Sequence, residues 1–415
     1  MYIQRRIHPE IKQHLERKEY SIITGSRQCG KTSLLQALFK ELREEKKTVS
    51  YVTFEDRDIL SAINKHPEEI FTFVPRPEKS IEKSDPAKQR IFLLIDEVQH
   101  AEDPSNFLKY LYDIYKENLK IVATGSSAFY LDQKFSDSLS GRKRIFELQT
   151  LSFEEFLVFK NLKDLYNELE LVRKRKEYIS SKNRELIEMF NEYLIFGGYP
   201  EVVLENNRQE KINLLKEIRN SFLKRDIDES GINDRDKFYN LITLLAGQTG
   251  NLINKNELSN TIGIDNKTID KYLQVMQSCF HISLVKPFHS NLRKELIKMS
   301  KLYFKDFGLR NCLLNRFFDF RSREDQGILL ENYLHRRLTE IYDKEAIHFW
   351  RTSDKKEVDF IITTSYNKSM AYEVKMTCKE AMTTSRKKFI EAYPDFPFEI
   401  ISYEINKDCE WILKV

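Results

Sequence analysis

The sequence of 415 residues contains no apolar run long enough to cross a membrane. The longest purely apolar run, Ile91 to Ile95, has five residues, whereas a membrane-spanning helix needs about 20. The N-terminal decapeptide MYIQRRIHPE is charged and lacks the apolar core of a signal peptide. We therefore expect a soluble, cytoplasmic protein.

Cysteine is scarce, and no two cysteines form a CxxC pair. The five cysteines are far apart in the sequence: Cys29, Cys279, Cys312, Cys378 and Cys409. This spacing excludes a zinc ribbon and argues against a disulfide framework. It favours a protein of a reducing compartment.

The sequence also lacks a strong excess of charge of either sign. It has 68 Lys and Arg against 64 Asp and Glu, a net charge of +4, so any contact with nucleic acid must come from a local basic patch. Hydrophobic residues make up 41% of the chain, which excludes a disordered protein. The length predicts two to three domains at roughly 150 residues each.

The N-terminal part of the sequence predicts an α/β fold with a parallel sheet. A strand over Ser21–Thr24, a helix from Lys31 to about Glu44 and a strand over Thr48–Phe54 form a βαβ unit. Three further strands are predicted, at 91–95, 120–124 and about 144–148. From residue 152 to about 228 the pattern is helical, and from 302 onwards it alternates between strand and helix.

The segment Gly25–Thr32 fits the phosphate-loop pattern G-x-x-x-x-G-K-[ST] at every fixed position, between a predicted strand and a predicted helix. The glycines allow consecutive N–H groups to face phosphate oxygens, Lys31 would reach the β- and γ-phosphates, and Thr32 would bind Mg²⁺. A chance match is expected in fewer than about one such chain per hundred. The predicted nucleotide-binding residues are Gly25, Ser26, Arg27, Gln28, Cys29, Gly30, Lys31, Thr32 and Ser33.

Two further strand ends carry candidate catalytic groups. Asp96 and Glu97 follow an apolar strand, where Asp96 would hold Mg²⁺ and Glu97 would orient or polarise the attacking water. Ser126 or Ser127, after the next strand, would lie beside the γ-phosphate, unless this segment is a plain turn. Glu55-Asp56 would add polar groups to the site or form a solvated turn.

A basic cluster, Gly141–Arg144, precedes the last predicted strand of this region. Arg142 would act as a finger in trans on the γ-phosphate of a neighbouring subunit. The alternative is a solvated surface turn. Arg225 is a second candidate for the same role.

These segments resemble the prokaryotic AAA+-type ATPases of the archaeal-ATPase group. The resemblance rests on IITGSRQCGKTSLL, LLIDEVQ, ATGSS and SGRKRIFELQTLSFEEFL, and it continues through YLIFGGYPEVVL, KLYFKDFGL, LLENYL, EVDFII and YEVK. It implies an additional-strand P-loop core at 1–150, a helical lid at 151–235, a winged-helix-like domain at 236–305 and a restriction-endonuclease-like PD-(D/E)xK domain of unknown function at 306–415.

The middle segment reads as helix, turn and helix, with the second helix from Asn266 to Ser278 and Asp265 as its N-terminal cap. Its candidate DNA contacts are Lys267, Thr268 and Lys271. The basic stretch after it adds Arg293, Lys294 and Lys298. The alternatives are a packing module and a solvated hairpin.

The C-terminal segment Glu357–Ile362, a turn and Tyr372–Lys375 read as a β-hairpin. If Asp359 faces the same side as Glu373 and Lys375, the three form the Asp…Glu-x-Lys pattern of restriction-endonuclease-like nucleases, a magnesium site with a cation. Glu331 would supply the additional acid. The alternative is a salt-bridged sheet surface.

Three hypotheses of function follow from these features. The primary one is an ATPase that binds ATP and Mg²⁺, assembles into a homo-oligomeric ring, with a hexamer favoured, and uses hydrolysis to bind or remodel DNA. The second is a nucleotide-dependent switch whose C-terminal domain binds a protein partner. The third is an ATP-regulated, metal-dependent DNA nuclease.

Overall fold

The computed structural model describes residues 2–79, 90–125, 139–175, 177–288, 299–364, 369–378 and 384–415. The chain divides into two compact units, Met1–Thr150 with Ser278–Phe280, and Leu151–Gln277 with His281–Val415. Among the described residues, no helix is both long and apolar enough to span a membrane. The division into four domains stays a prediction.

The first unit is built on a five-stranded sheet in which every neighbouring pair of strands is parallel, in the order β2-β3-β4-β1-β5. Its strands are β1 Tyr20–Thr24, β2 Val49–Thr53, β3 Ile91–Asp96, β4 Leu119–Gly125 and β5 Lys143–Glu147. Its helices are α1 His8–His14, α2 Lys31–Glu44, α3 Arg57–Lys65 and α4 Pro104–Tyr115. The predicted parallel α/β core is thus confirmed.

Both faces of this sheet are buried, which explains why its inner strands read as continuous apolar runs. Successive side chains of a strand point to opposite faces. Leu93 and Ile95 therefore pack in one hydrophobic cluster, with Leu108 of α4. Leu94 packs in a second cluster, with Leu35 of α2.

The second unit begins with helices. They are α5 Phe153–Phe159, α6 Lys163–Lys174, α7 Asn183–Phe196, α8 Pro200–Leu204, α9 Arg208–Glu229 and α10 Arg235–Gly247. A capping box starts α5, where Ser152 and Glu155 each accept a hydrogen bond from the backbone of the other. The predicted change to helical structure at residue 152 is therefore encoded in the local sequence.

A helix-turn-helix follows, formed by α11 Lys255–Ile262 and α12 Asn266–Ser278. Gly263 closes α11 with a left-handed φ of 71°, a conformation that glycine adopts without strain. The carboxylate of Asp265 accepts a hydrogen bond of 3.0 Å from Thr268 N–H, which confirms Asp265 as the cap of α12.

A seven-stranded mixed sheet completes the second unit, in the order β12-β11-β10-β9-β8-β6-β7. Its strands are β6 Ile282–Pro287, β7 Lys301–Phe304, β8 Ile347–Arg351, β9 Glu357–Ile362, β10 Met370–Lys375, β11 Phe398–Ser402 and β12 Glu410–Trp411. Its helices are α13 Phe307–Leu314, α14 Gln326–Ile341 and α15 Thr384–Ala392. The antiparallel pairing of β9 with β10 confirms the predicted C-terminal hairpin.

Cys378 and Cys409 form a disulfide with Cα atoms 5.9 Å apart, a single bond that the sequence did not predict and that does not amount to a disulfide framework. The two cysteines are 31 residues apart in sequence. Cys378 follows β10 and Cys409 directly precedes β12, two strands of the same sheet. Cys29, Cys279 and Cys312 are buried and free.

Candidate functional site

The loop between β1 and α2 has backbone conformations that require glycine. Gly25 has a φ of 154°, and a Cβ atom at this position would lie 2.0 Å from the carbonyl oxygen of Leu148. Gly30 has a φ of 98° and precedes the first residue of α2. The helix N-terminus therefore opens directly into the loop, an arrangement that favours an anion.

The side chain of Lys31 is buried and folds back onto the backbone of this loop. Its Nζ donates hydrogen bonds to the carbonyl oxygens of Gly25, at 3.0 Å, and Ser26, at 2.8 Å. The hydroxyl oxygen of Ser26 is buried and has no hydrogen-bond partner among the residues that the structure describes. A buried hydroxyl and an ammonium group bound to carbonyl oxygens are suited to donate to phosphate oxygens.

The structure brings Thr32 and Asp96 together at the carboxyl edge of the sheet. Asp96 Oδ2 accepts hydrogen bonds from Thr32 Oγ1, at 2.8 Å, and from the Tyr51 hydroxyl, at 3.0 Å. Asp96 Oδ1 accepts one from Thr124 Oγ1. The hydroxyl and carboxylate are hard oxygen ligands of the kind that Mg²⁺ prefers, so their chemistry fits the predicted metal.

Glu97 leaves the strand in a different direction from Asp96. It has a left-handed φ of 56°, and its N–H donates to Thr124 Oγ1 over 3.1 Å. Its carboxylate accepts a hydrogen bond from the side-chain amide of Gln99. The two neighbouring acids therefore have different surroundings. Asp96 is held by hydrogen bonds from three hydroxyl groups, whereas Glu97 is half-buried in a turn.

Three residues of this region were missed by the sequence reasoning: Arg5, Tyr51 and Gln99. The guanidinium of Arg5 donates to the carbonyl oxygens of Cys29, at 2.6 Å, and Gln149, at 2.7 Å, and so fixes the loop backbone. Burial, followed by the charge of Asp96, raises the pKa of Tyr51. Only its place on β2, the strand beside β3, could have indicated Tyr51.

Arg142 lies at the other edge of the sheet from the phosphate loop. β5 runs parallel to β1 with Lys143 beside Tyr20, so Arg142 precedes the strand at the end where β1 begins. The length of β1, roughly 13 Å at 3.3 Å per residue, separates this edge from the loop. Arg142 Nε pairs with Asp113 Oδ1 at 2.8 Å.

Several other candidates have local roles or lie outside the described residues. Asp56 caps α3 by accepting a hydrogen bond of 2.9 Å from Asp58 N–H, and Glu55 is exposed. Arg225 is exposed on α9. The positions outside the described part of the chain are Ser126, Ser127, Arg293, Lys294 and Lys298.

The DNA candidates on α12 differ in how their polar groups are engaged. Thr268 donates both its N–H and its hydroxyl to Asp265. Lys271 Nζ donates to the carbonyl oxygen of Gly231 over 3.0 Å. Lys267 is exposed. The hydroxyl of Thr268 thus serves the helix cap.

Glu331 and Asp359, two of the four predicted nuclease residues, converge on Lys301. Lys301 Nζ lies 2.8 Å from Glu331 Oε1 and 4.0 Å from Asp359 Oδ1, and it also contacts Glu357. Burial lowers the pKa of Lys301, but Glu331, Asp359 and Glu357 outweigh this effect and raise it above its usual value. Burial and then the charge of Glu331 raise the pKa of Asp359 to about 7.

Glu373 and Lys375, the other two, pair with each other at 2.9 Å on β10. The N–H of Val374 donates to Asp359 Oδ2 over 2.8 Å, which connects this strand to the acids of β9. The sequence reasoning missed Lys301 and Glu357 as members of the cluster. Among the described residues, no group of three or more His, Cys, Asp or Glu side chains is arranged to hold a metal ion.

Three segments of the chain match known protein families. Residues 17–157 match a family described as AAA domain. Residues 187–319 and 326–413 match two families described as domains of unknown function, DUF8612 and DUF4143. The AAA match includes the phosphate loop, the end of β3 and Arg142.

The chain is similar to uncharacterised proteins of other organisms. One, from Methanocaldococcus jannaschii, is 28% identical over 396 residues, covering 93% of this chain and 80% of the relative. Another, from Haemophilus influenzae, is 26% identical over 349 residues, covering 82% and 78%.

Solved structures of low similarity include the Aeropyrum pernix ORC2 protein in ADPNP-ADP complexes, with a TM-score of 0.39, 14% identity and coverage of 76% of this chain and 95% of that one. They also include AMPPCP-bound DnaA from Aquifex aeolicus, with a TM-score of 0.29, 16% identity and coverage of 66% and 89%. The family matches and the parallel core carry the assignment. Residues 17–157 therefore form a parallel P-loop core that matches the AAA domain family, and residues 326–413 match a domain family of unknown function.

Proposed function

We propose that the chain binds Mg-ATP at the loop Gly25–Thr32, hydrolyses it, and couples hydrolysis within a homo-oligomer to the binding or remodelling of DNA. One observation carries the ATPase proposal. The Thr32 hydroxyl and the Asp96 carboxylate are 2.8 Å apart, directly beside a glycine loop in which the Lys31 ammonium group is bound to carbonyl oxygens.

The loop would bind the triphosphate through its backbone N–H groups and the N-terminus of α2. Lys31 would exchange its bonds with the carbonyl oxygens of Gly25 and Ser26 for bonds with phosphate oxygens, which are charged acceptors and therefore stronger. The buried hydroxyl of Ser26 would gain a partner in the same exchange.

Thr32 and Asp96 would hold Mg²⁺, which when bound neutralises the developing charge on the phosphates. Tyr51 and Thr124 keep the Asp96 carboxylate at the edge of the sheet by donating to its two oxygens. Glu97 would orient the attacking water and accept its proton. Its hydrogen bond from Gln99 limits the directions in which the carboxylate can point.

Hydrolysis would need a second subunit. Arg142 lies at the sheet edge away from its own loop, so it would act on a γ-phosphate bound by a neighbouring copy of the chain. We propose a ring for this assembly, with six subunits as the favoured number. Arg142 would leave Asp113, its present ion-pair partner, to do so.

ATP turnover by the purified full chain tests the proposal. Glu97→Gln removes the base, and we expect turnover to fall by about a hundredfold, the loss seen when one group is removed from other electrostatic sites. Glu44→Gln is the matched control, because Glu44 is an exposed acid at the far end of α2 and its replacement should leave turnover unchanged. Near-normal turnover in Glu97→Gln would contradict the assignment.

A nucleotide-dependent switch that binds a protein partner is the second candidate. It is favoured by the internal bonds of Thr268 and Lys271, which fit a packing role for α12. Turnover with and without duplex or branched DNA separates the two candidates. Stimulation that weakens steeply with salt supports action on DNA, and indifference to DNA supports the switch.

A further inference from the structure

The carboxylates of Glu331, Glu357 and Asp359 surround the side chain of Lys301 in the C-terminal sheet. Lys301 is 1% exposed, so its ammonium group has been removed from water almost completely. Such burial costs several kcal/mol unless opposite charges and hydrogen bonds compensate it. The three acids are therefore the partners that allow Lys301 to be buried in its charged form.

Three oxygens of Glu331 and Glu357 already have donors or cations beside them. Glu331 Oε1 accepts from Lys301 and, at 2.6 Å, from the Tyr303 hydroxyl. Arg351 Nη1 binds the second oxygen of Glu357 at 2.6 Å, so both oxygens of that carboxylate carry a cation.

The ammonium group of Lys301 fills the space between Glu331 and Glu357 and contacts both carboxylates. A magnesium ion would need its ligands at about 2.0–2.1 Å in the same space. A magnesium ion therefore does not fit among Glu331, Glu357 and Asp359 while Lys301 lies there, which concerns two of the four predicted nuclease residues, Glu331 and Asp359.

We infer that Lys301 is the resident cation of this cluster and takes the place that a divalent metal would have among Glu331, Glu357 and Asp359. Glu331 and Asp359 then do not hold a catalytic metal for the cleavage of nucleic acid. Its acids neutralise a buried lysine, and they hold β7, β9 and α14 together. This inference concerns the second unit alone and is independent of ATP turnover at the phosphate loop.

Manganese binding to the nucleotide-free full chain, followed by electron paramagnetic resonance, tests the inference. Lys301→Met keeps the length of the side chain and removes its charge, which leaves Glu331 and Asp359 without their cation, while Glu357 keeps Arg351. We expect Lys301→Met to bind one additional Mn²⁺ per chain at least tenfold more tightly than the wild type. Adding Asp359→Asn to this variant should abolish the gain. No gain in Lys301→Met, when it is folded by circular dichroism, would overturn the inference.

Lys301→Met could fail to fold because three acids would be buried together. In that case we would combine Lys301→Met with Glu357→Gln, which removes one charge of each sign. This double variant should still bind Mn²⁺ more tightly than the single variant Glu357→Gln. The wild type gives a second readout that needs no folded variant. We expect no cleavage of supercoiled or branched DNA with Mg²⁺ or Mn²⁺. Cleavage that disappears in Asp359→Asn would overturn the inference.

Discussion

Replacement of Thr32 by valine removes the hydroxyl that joins the phosphate loop to β3 while keeping the shape of the side chain. Thr32 Oγ1 donates to Asp96 Oδ2 over 2.8 Å, and Tyr51 donates to the same oxygen over 3.0 Å. A hydrogen bond to a charged group contributes about 1.5–3 kcal/mol. Since Tyr51 remains bound, we expect the lower value, about 1.5 kcal/mol, to be lost from the free energy of unfolding of the nucleotide-free protein.

The same substitution should act more strongly on nucleotide binding. Thr32→Val removes a proposed ligand of Mg²⁺, so we expect ATP affinity in the presence of Mg²⁺ to fall at least tenfold, which corresponds to about 1.4 kcal/mol. With Mg²⁺ chelated, wild type and variant should bind ATP equally. Titration of a fluorescent ATP analogue measures the affinity with Mg²⁺ and the affinity with Mg²⁺ chelated.

Thr32→Ser is the matched control, because serine retains the hydroxyl oxygen. Thr32→Ser should keep the wild-type midpoint of urea-induced unfolding, and its ATP affinity should depend on Mg²⁺ as that of the wild type does. If Thr32→Ser lost as much affinity as Thr32→Val, or if Thr32→Val bound Mg-ATP like the wild type, the role assigned to the hydroxyl would be wrong.

Two further predictions concern other parts of the chain. The pKa of Asp359 is raised from 3.8 to about 7, so its protonated form is favoured on folding, and its contribution to stability is lost as the pH rises from about 4 to 7. The midpoint of urea-induced unfolding should fall over this pH range in the wild type, and it should fall less in Asp359→Asn. An equal decrease in both proteins would contradict the raised pKa of Asp359. Arg142→Ala should bind ATP normally but lose turnover, and mixing it with Lys31→Ala should restore part of the turnover, because each supplies what the other lacks. No restoration in mixed assemblies would refute action in trans.

The parts of the fold that could be predicted from the sequence are those with local signals. The phosphate loop is a contiguous motif whose glycines are needed for positive φ angles, and Gly25 and Gly30 have such angles. Asp96 and Glu97 were predictable because they end a buried strand. The hairpin β9–β10 was predictable from alternating apolar residues on either side of a short turn.

The parts that could not be predicted depend on contacts between distant segments. Arg5 reaches the loop from 24 residues away, and Tyr51 approaches Asp96 from another strand. Lys301 was assigned to a basic stretch because its neighbours in sequence are basic, but β7 places it beside acids of α14 and β9. Likewise, only the order of β10, β11 and β12 brings Cys378 to Cys409.

Equilibrium binding of Mg-ATP to the nucleotide-free chain tests most directly whether the loop Gly25–Thr32 is a nucleotide site. We expect the wild type to bind, and Lys31→Ala to bind at least tenfold more weakly, since its side chain no longer supplies an ammonium group to the phosphates. Lys65→Ala, a substitution of an exposed lysine at the end of α3, should bind like the wild type. Wild-type protein without measurable affinity for Mg-ATP, or Lys31→Ala with undiminished affinity, would contradict the proposed site.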